Sequence, residues 1–201
     1  MKTIEEIIEL LNQQFCGEIF YDDISEFAHK YHLRFDAGET RYCIFDPKWD
    51  RVLKIPRFEN VSDDYSALEV QNYEYAKKIG VDKILLPTGY LTTLRNGCPI
   101  YWQTKFTCSH SGLNFHEERN LNNRWNKYYR SPVYLKVKKA MPQDRCYRDE
   151  WLFRAYQLYG KQFFKKLCKF FEDNYIDDLH ANNVGWLNGK PIILDYAGYH
   201  E

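Results

Sequence analysis

The sequence predicts an α+β fold: a small antiparallel sheet with one helix laid against it, then a mainly helical second half that ends in a hairpin. Three observations predict it. Short aromatic and β-branched runs between residues 33 and 106 are punctuated by turn residues. Apolar residues recur at helical spacing near the start of the chain and again from Glu150 to Tyr175. Two short apolar runs then flank an Asn-Gly pair close to the end. The expected organisation is an N-terminal helical segment over 1–32, a sheet region over 33–106, and a second region over 107–201 that opens with a basic insertion, 107–148.

Each element has its own local reason. Ile4, Ile7, Ile8, Leu11 and Phe15 fall on one helical face with a polar face opposite, which is the pattern of a helix packed on a domain. "LRFDAGETRYCIF" and "RVLKIP" read as strands, joined by the turn residues of "DPKWD". "SDDYSALEVQNYEYAKKIG" reads as one helix. Ser62 is its expected N-cap, Asp63 and Asp64 suit the first turn, Lys77 and Lys78 the last, and Gly80 stands where a C-terminal glycine belongs. "TGYLTTL" and "PIYWQTKF" flank "RNGC", a second hairpin signal. The apolar run from Glu150 to Tyr175 is a largely buried helix with a break expected near Gly160.

Bulk properties narrow the function classes. The 201 residues carry 28 basic and 28 acidic side chains, so no global field draws the chain toward nucleic acid or a membrane. No run approaches the roughly 18 apolar residues of a membrane span, and "KTIEEIIELL" does not resemble a signal peptide because glutamates interrupt its apolar run. The six cysteines are scattered without a CxxC, which argues against zinc and for reduced thiols in a cytoplasm. That cytoplasm is the cell's own or that of a host into which the protein is delivered.

The densest chemistry sits between Asp177 and Asp195. Asn183–Leu187 and Pro191–Leu194 should pair as a hairpin about "NGK", bringing Asn183 and Asp195 together at its open end. The loop carrying Asp178 lies five residues before Asn183. Magnesium is held by such a set, one or two carboxylates and an amide oxygen, with water and phosphate completing the sphere. A nearby aspartate is a natural base for a hydroxyl that attacks phosphorus. The plain alternative for "DDLHANN" is a capped polar loop.

"DLHANN", with the Asp of "LDYAG" twelve residues after its last Asn, resembles the catalytic loop and metal-binding Asp of the protein-kinase-like fold. The Asp-Leu-His-x-x-Asn form is similar to that of the small-molecule (aminoglycoside-type) phosphotransferases and of compact bacterial or phage kinase-like proteins. The resemblance implies a two-lobe fold with an antiparallel-sheet N-lobe and a truncated, mainly helical C-lobe. It makes Asp178 the catalytic-loop aspartate, Asn183 and Asp195 the magnesium ligands, and His180 a phosphate neighbour. Lys54 in "RVLKIP" becomes the lysine on the α- and β-phosphates of ATP, with Val52 lining the adenine. Its helix partner is Glu69 or Glu74, of which Glu69 is favoured. Gly38 marks the phosphate-covering turn.

The pattern also departs from the family. The turn has one glycine where protein kinases usually have three, which leaves Thr40 and Arg41 to hold the nucleotide. Asp177 replaces the arginine that reads activation-loop phosphate, and the glycine of "DYAG" comes one position late. Only six residues follow Asp195, so neither an activation loop nor a peptide-docking platform is expected. The expected function is therefore ATP- and Mg2+-dependent phosphoryl transfer to a protein or small molecule. The alternative is a pseudokinase-type binding module. A partner or acceptor surface is expected over 119–148, where nine Lys or Arg accompany one Asp. Nucleic acid ranks last as a partner because no recognition motif accompanies that basic stretch.

Overall fold

The computed structural model describes residues 2–57, 64–106, 149–179, 183–187 and 190–198, with the isolated positions 132, 135 and 139. The protein is α+β. It divides into two compact units, Met1–Gln71 with Pro87–Lys105, and Asn72–Leu86 with Phe106–Glu201. Among the described residues, no helix is long and apolar enough to cross a membrane.

The first unit is built on five antiparallel strands: β1 (Arg34–Ala37), β2 (Arg41–Phe45), β3 (Arg51–Pro56), β4 (Thr88–Thr93) and β5 (Pro99–Thr104), in the order β1-β2-β3-β5-β4. Strand alternation gives the sheet two chemically different faces. Tyr42, Ile44, Leu53, Ile55 and Ile100 point to one side and are buried with residues of two helices, α1 (Ile4–Gln14) and α2 (Tyr21–Lys30). The contributions of these helices include Ile7 and Leu11 from α1 and Ile24 and Phe27 from α2. Thr3 and Glu6 start α1 with a reciprocal capping box. The opposite side of the sheet carries Lys54 on β3, paired with Cys43 on β2 and with Tyr101 on β5.

Helix α3 (Tyr65–Ile79) follows β3. Its start differs from the sequence expectation. Ser62 and Asp63 lie outside the described residues, and the cap is Asp64, whose Oδ1 accepts the amide protons of Ser66 and Ala67 at 3.0 Å each. The end is as expected from Gly80, which takes a φ of 76°. Val81 N donates to Ala76 O and Gly80 N to Lys77 O, the two bonds of a Schellman ending.

In the second unit, a 3₁₀ turn (Asp82–Ile84) leads to Leu85, which forms a parallel bridge with Ile193. The long helix α4 (Asp149–Asp173) is interrupted at Gly160, whose φ of 79° and ψ of 174° are not helical. β6 (Val184–Leu187) and β7 (Lys190–Ile193) form the expected hairpin, and Asn188 and Gly189 between them lie outside the described residues. Phe153, Phe164, Leu167, Phe170 and Phe171 of α4 share one core with Val184, Ile193 and Tyr196.

α4 ends with a left-handed residue that is not glycine. Tyr175 has a φ of 53°, and Ile176 N reaches back to Phe171 O at 2.9 Å, which turns the chain sharply into Asp177. Gly198 packs on this corner. Its φ is 77°, and a Cβ there would stand 2.0 Å from Asn174 O. Position 198 therefore demands glycine on both backbone and steric grounds. Gly198→Ala should destabilise the protein by at least about 2 kcal/mol, read from the urea midpoint at unchanged slope.

Candidate functional site

In the first unit the chemistry centres on one carboxylate. Glu69 lies on α3 with its side chain fully buried. Its Oε2 is 2.5 Å from Lys54 Nζ and 3.0 Å from Arg41 Nη1, and its Oε1 accepts from Gln103 Nε2 at 3.2 Å. All four side chains belong to β2, β3, β5 or the first half of α3. Of the two glutamates left open by the sequence, the partner of Lys54 is Glu69; Glu74 is exposed and pairs with Lys77 in the next turn. A second polar contact pins the start of α3, where Tyr101 Oη donates to Asp64 Oδ2 at 2.5 Å. Burial, and then Asp64, push the Tyr101 phenol well above its usual range, so the proton stays on the tyrosine at neutral pH.

Other predicted residues of this unit fall around that centre. Val52 is half-buried on the same strand face as Lys54, opposite Gln103. Gly38 and Thr40 form the β1–β2 turn, where Gly38 N donates to Arg41 O and Gly38 O accepts from Arg57 Nη1. Arg41 was expected to stand with Thr40 on a nucleotide. It is only 8% exposed, its Nε donates to Thr40 Oγ1 at 3.3 Å, and Nη1 is engaged on Glu69. Nothing in the linear sequence distinguishes it from an exposed turn cation.

In the second unit the open end of the β6–β7 hairpin gathers Asp178, Asn183 and Asp195. Leu194 N donates to Asn183 O at 2.9 Å, extending the ladder by one bond and placing Asp195 next beyond it. The Asn183 amide nitrogen donates to Asp178 O at 3.0 Å and to Asp178 Oδ2 at 3.2 Å. That commits the nitrogen end of the amide and turns its oxygen to the other side. Asp177, Asp178, Asn183, Asp195 and Gly198 line a cavity of about 10 Å³, roughly the size that takes one water or one small ion. His180 lies outside the described residues, as does the basic stretch expected to meet a partner, apart from three positions within it.

The donor set suits magnesium. Among the described residues no three of His, Cys, Asp and Glu form a metal cage. Magnesium needs no such cage, because it keeps most of its water and is commonly held by one or two side chains plus phosphate oxygens. Asn183 and Asp195 would supply the amide and the carboxylate.

A larger cavity in the first unit, about 230 Å³, is lined by residues 17–19, 96–98 and Pro56 and contains none of these residues. Among the described residues its ionisable groups are Glu18 and Cys98, and burial pushes the Cys98 thiol up to about 11, away from nucleophilic use.

No protein-family model matches the chain, and no curated protein sequence matches it. The reading of the site rests on its own residues.

Sequence reasoning missed Asn72, a buried side chain on α3 that donates to Tyr196 O and Ala197 O. No local pattern marks it, because its partners lie more than 120 residues away.

Removing one member of a buried ion pair strands the other charge, at a cost of about 3–5 kcal/mol. Glu69→Ala should therefore lower stability by roughly that amount in urea unfolding. Glu74→Ala, which loses only an exposed contact, should leave the midpoint nearly unchanged.

Proposed function

We propose that the chain is an ATP- and magnesium-dependent phosphotransferase with a protein-kinase-like two-lobe fold, acting on a protein or small-molecule hydroxyl. The observation that carries this reading is the buried Lys54–Glu69 pair, bridging a central strand and the following helix. Burying two charges costs free energy that apolar residues of similar size would not, so stability alone gives little reason to keep them. A lysine held extended and desolvated by a carboxylate is a ready ligand for phosphate oxygens. The open end of the β6–β7 hairpin supports the same reading, with an amide and two carboxylates around a cavity that fits one small ion.

The roles follow from chemistry. Glu69 fixes the Lys54 ammonium, which binds the α- and β-phosphates. Val52 offers apolar surface to the adenine, and Gly38 and Thr40 supply the turn over the phosphates. Arg41 acts through Glu69, steadying the carboxylate that steadies the lysine. Asp178, held by the Asn183 amide, orients the acceptor hydroxyl and takes its proton as the oxygen attacks. Magnesium on Asn183 and Asp195 would neutralise charge on the phosphate oxygens. Positioning and charge neutralisation together account for most of the catalysis in phosphoryl transfer.

Labelled ATP and magnesium test this reading. Wild type should transfer or hydrolyse the γ-phosphate, and Asp178→Ala should lower turnover by about 10²–10⁴-fold, the usual contribution of a general base. A wild type that binds the nucleotide yet never turns it over would leave the pseudokinase-type module as the function.

A further inference from the structure

We infer that Asn72 is the positioning residue for Asp195, holding the segment that presents this carboxylate to a divalent cation. The inference rests on the phosphotransferase reading and adds to it a residue far from Asp195 in sequence. Beyond Ile193, the bond from Leu194 N to Asn183 O extends the β6–β7 ladder among the described residues. The next residues run through the protein interior, Tyr196 at 1% exposure and Ala197 at 3%. Their carbonyls need donors, because a buried carbonyl without one loses its hydration for nothing.

Asn72 Nδ2 supplies both, at 2.8 Å to Tyr196 O and 2.9 Å to Ala197 O. A primary amide nitrogen carries two protons and can serve two carbonyls at once; serine offers one proton, leucine none, and ionised aspartate only acceptors. The rest of the segment is tied down as well. The Tyr196 hydroxyl donates to Leu86 O at 2.6 Å, and Leu86 N donates to Ile193 O at 2.8 Å. Ala197 N, on the same peptide unit as the clamped Tyr196 carbonyl, donates to Asp195 Oδ1 at 3.4 Å. The clamp thus sets the backbone that in turn orients the Asp195 side chain. Residues that orient a metal ligand typically change metal affinity by about 10–100-fold when lost.

The test titrates the 201-residue chain with Mn2+, a spectroscopic stand-in for magnesium, in the presence of ATP. Amide hydrogen exchange over residues 194–198 is followed in parallel. Asn72→Leu, close in shape but without donors, should weaken Mn2+ binding at least about tenfold and speed exchange at 194–198. Affinity for metal-free ATP should stay within about twofold, since that binding rests on other residues. Asn72→Ser keeps one donor and should fall between; it is also the variant to read if Asn72→Leu fails to fold. Leu167→Val, a core change in the same unit, controls for lost stability and should leave Mn2+ affinity as in wild type. Wild-type Mn2+ affinity and exchange in a folded Asn72 variant would overturn the inference alone, as would an equal loss in Leu167→Val. A wild type that binds no Mn2+, or binds it as well after Asp195→Asn, would overturn the phosphotransferase reading and the inference with it.

Discussion

A carboxylate with no exposure to solvent must be answered by its neighbours, and in the first unit Glu69 dictates who they are. Lys54 and Arg41 meet one of its oxygens and Gln103 the other, so three strands of one sheet converge on a single residue of α3. The arrangement makes sense only if the sheet has one oily face and one polar face. Tyr42, Ile44, Leu53 and Ile55 provide the first against α1 and α2, and the alternation that buries them turns Lys54 and Arg41 to the other side. A one-residue slip of β3 would bury Leu53 among the charges and leave Lys54 in the core. Register, helix docking and the chemistry of Lys54 are therefore one constraint seen from three directions.

The second unit faces a different problem, which is to hold two carboxylates and an amide together on backbone that has left regular structure. It does so with a left-handed corner at Tyr175, a glycine at 198 that alone fits against Asn174, and donors brought from elsewhere to the 196–197 carbonyls. The hairpin brings Asn183 and Asp195 to one end, while these contacts keep the flanking loops from relaxing. Backbone outliers and buried polar contacts tend to cluster at functional sites, and here they surround a few oxygen-bearing side chains.

Much of this was legible from the residues. Asn96-Gly97 and the turn residues of "DPKWD" announced hairpins, Gly80 and the lysines before it announced the end of α3, and Gly160 announced the break in α4, because turn and cap chemistry acts over a few residues. The contacts that depend on the fold were not. Glu69 was favoured over Glu74 only by the resemblance; the fold decides it, because the sheet takes Glu69 and solvent takes Glu74. Arg41 looks like a turn cation until β2 is paired with β3. α2 was covered only as part of a helical segment, since Phe20 at its cap is no polar signal; Asp23 does the work by accepting Phe20 N–H at 3.3 Å. Asn72 had no signal at all.

The central proposal is that the chain needs both Lys54 and Asp195 to bind ATP with magnesium. The most direct measurement is the melting temperature with and without ATP and magnesium, on wild type, Lys54→Met and Asp195→Asn. A ligand at a hundred times its dissociation constant adds about 2.7 kcal/mol to the stability of the folded state. The account predicts a magnesium-dependent rise for wild type that either substitution removes. No rise at millimolar nucleotide, or a rise that survives both substitutions, would contradict it.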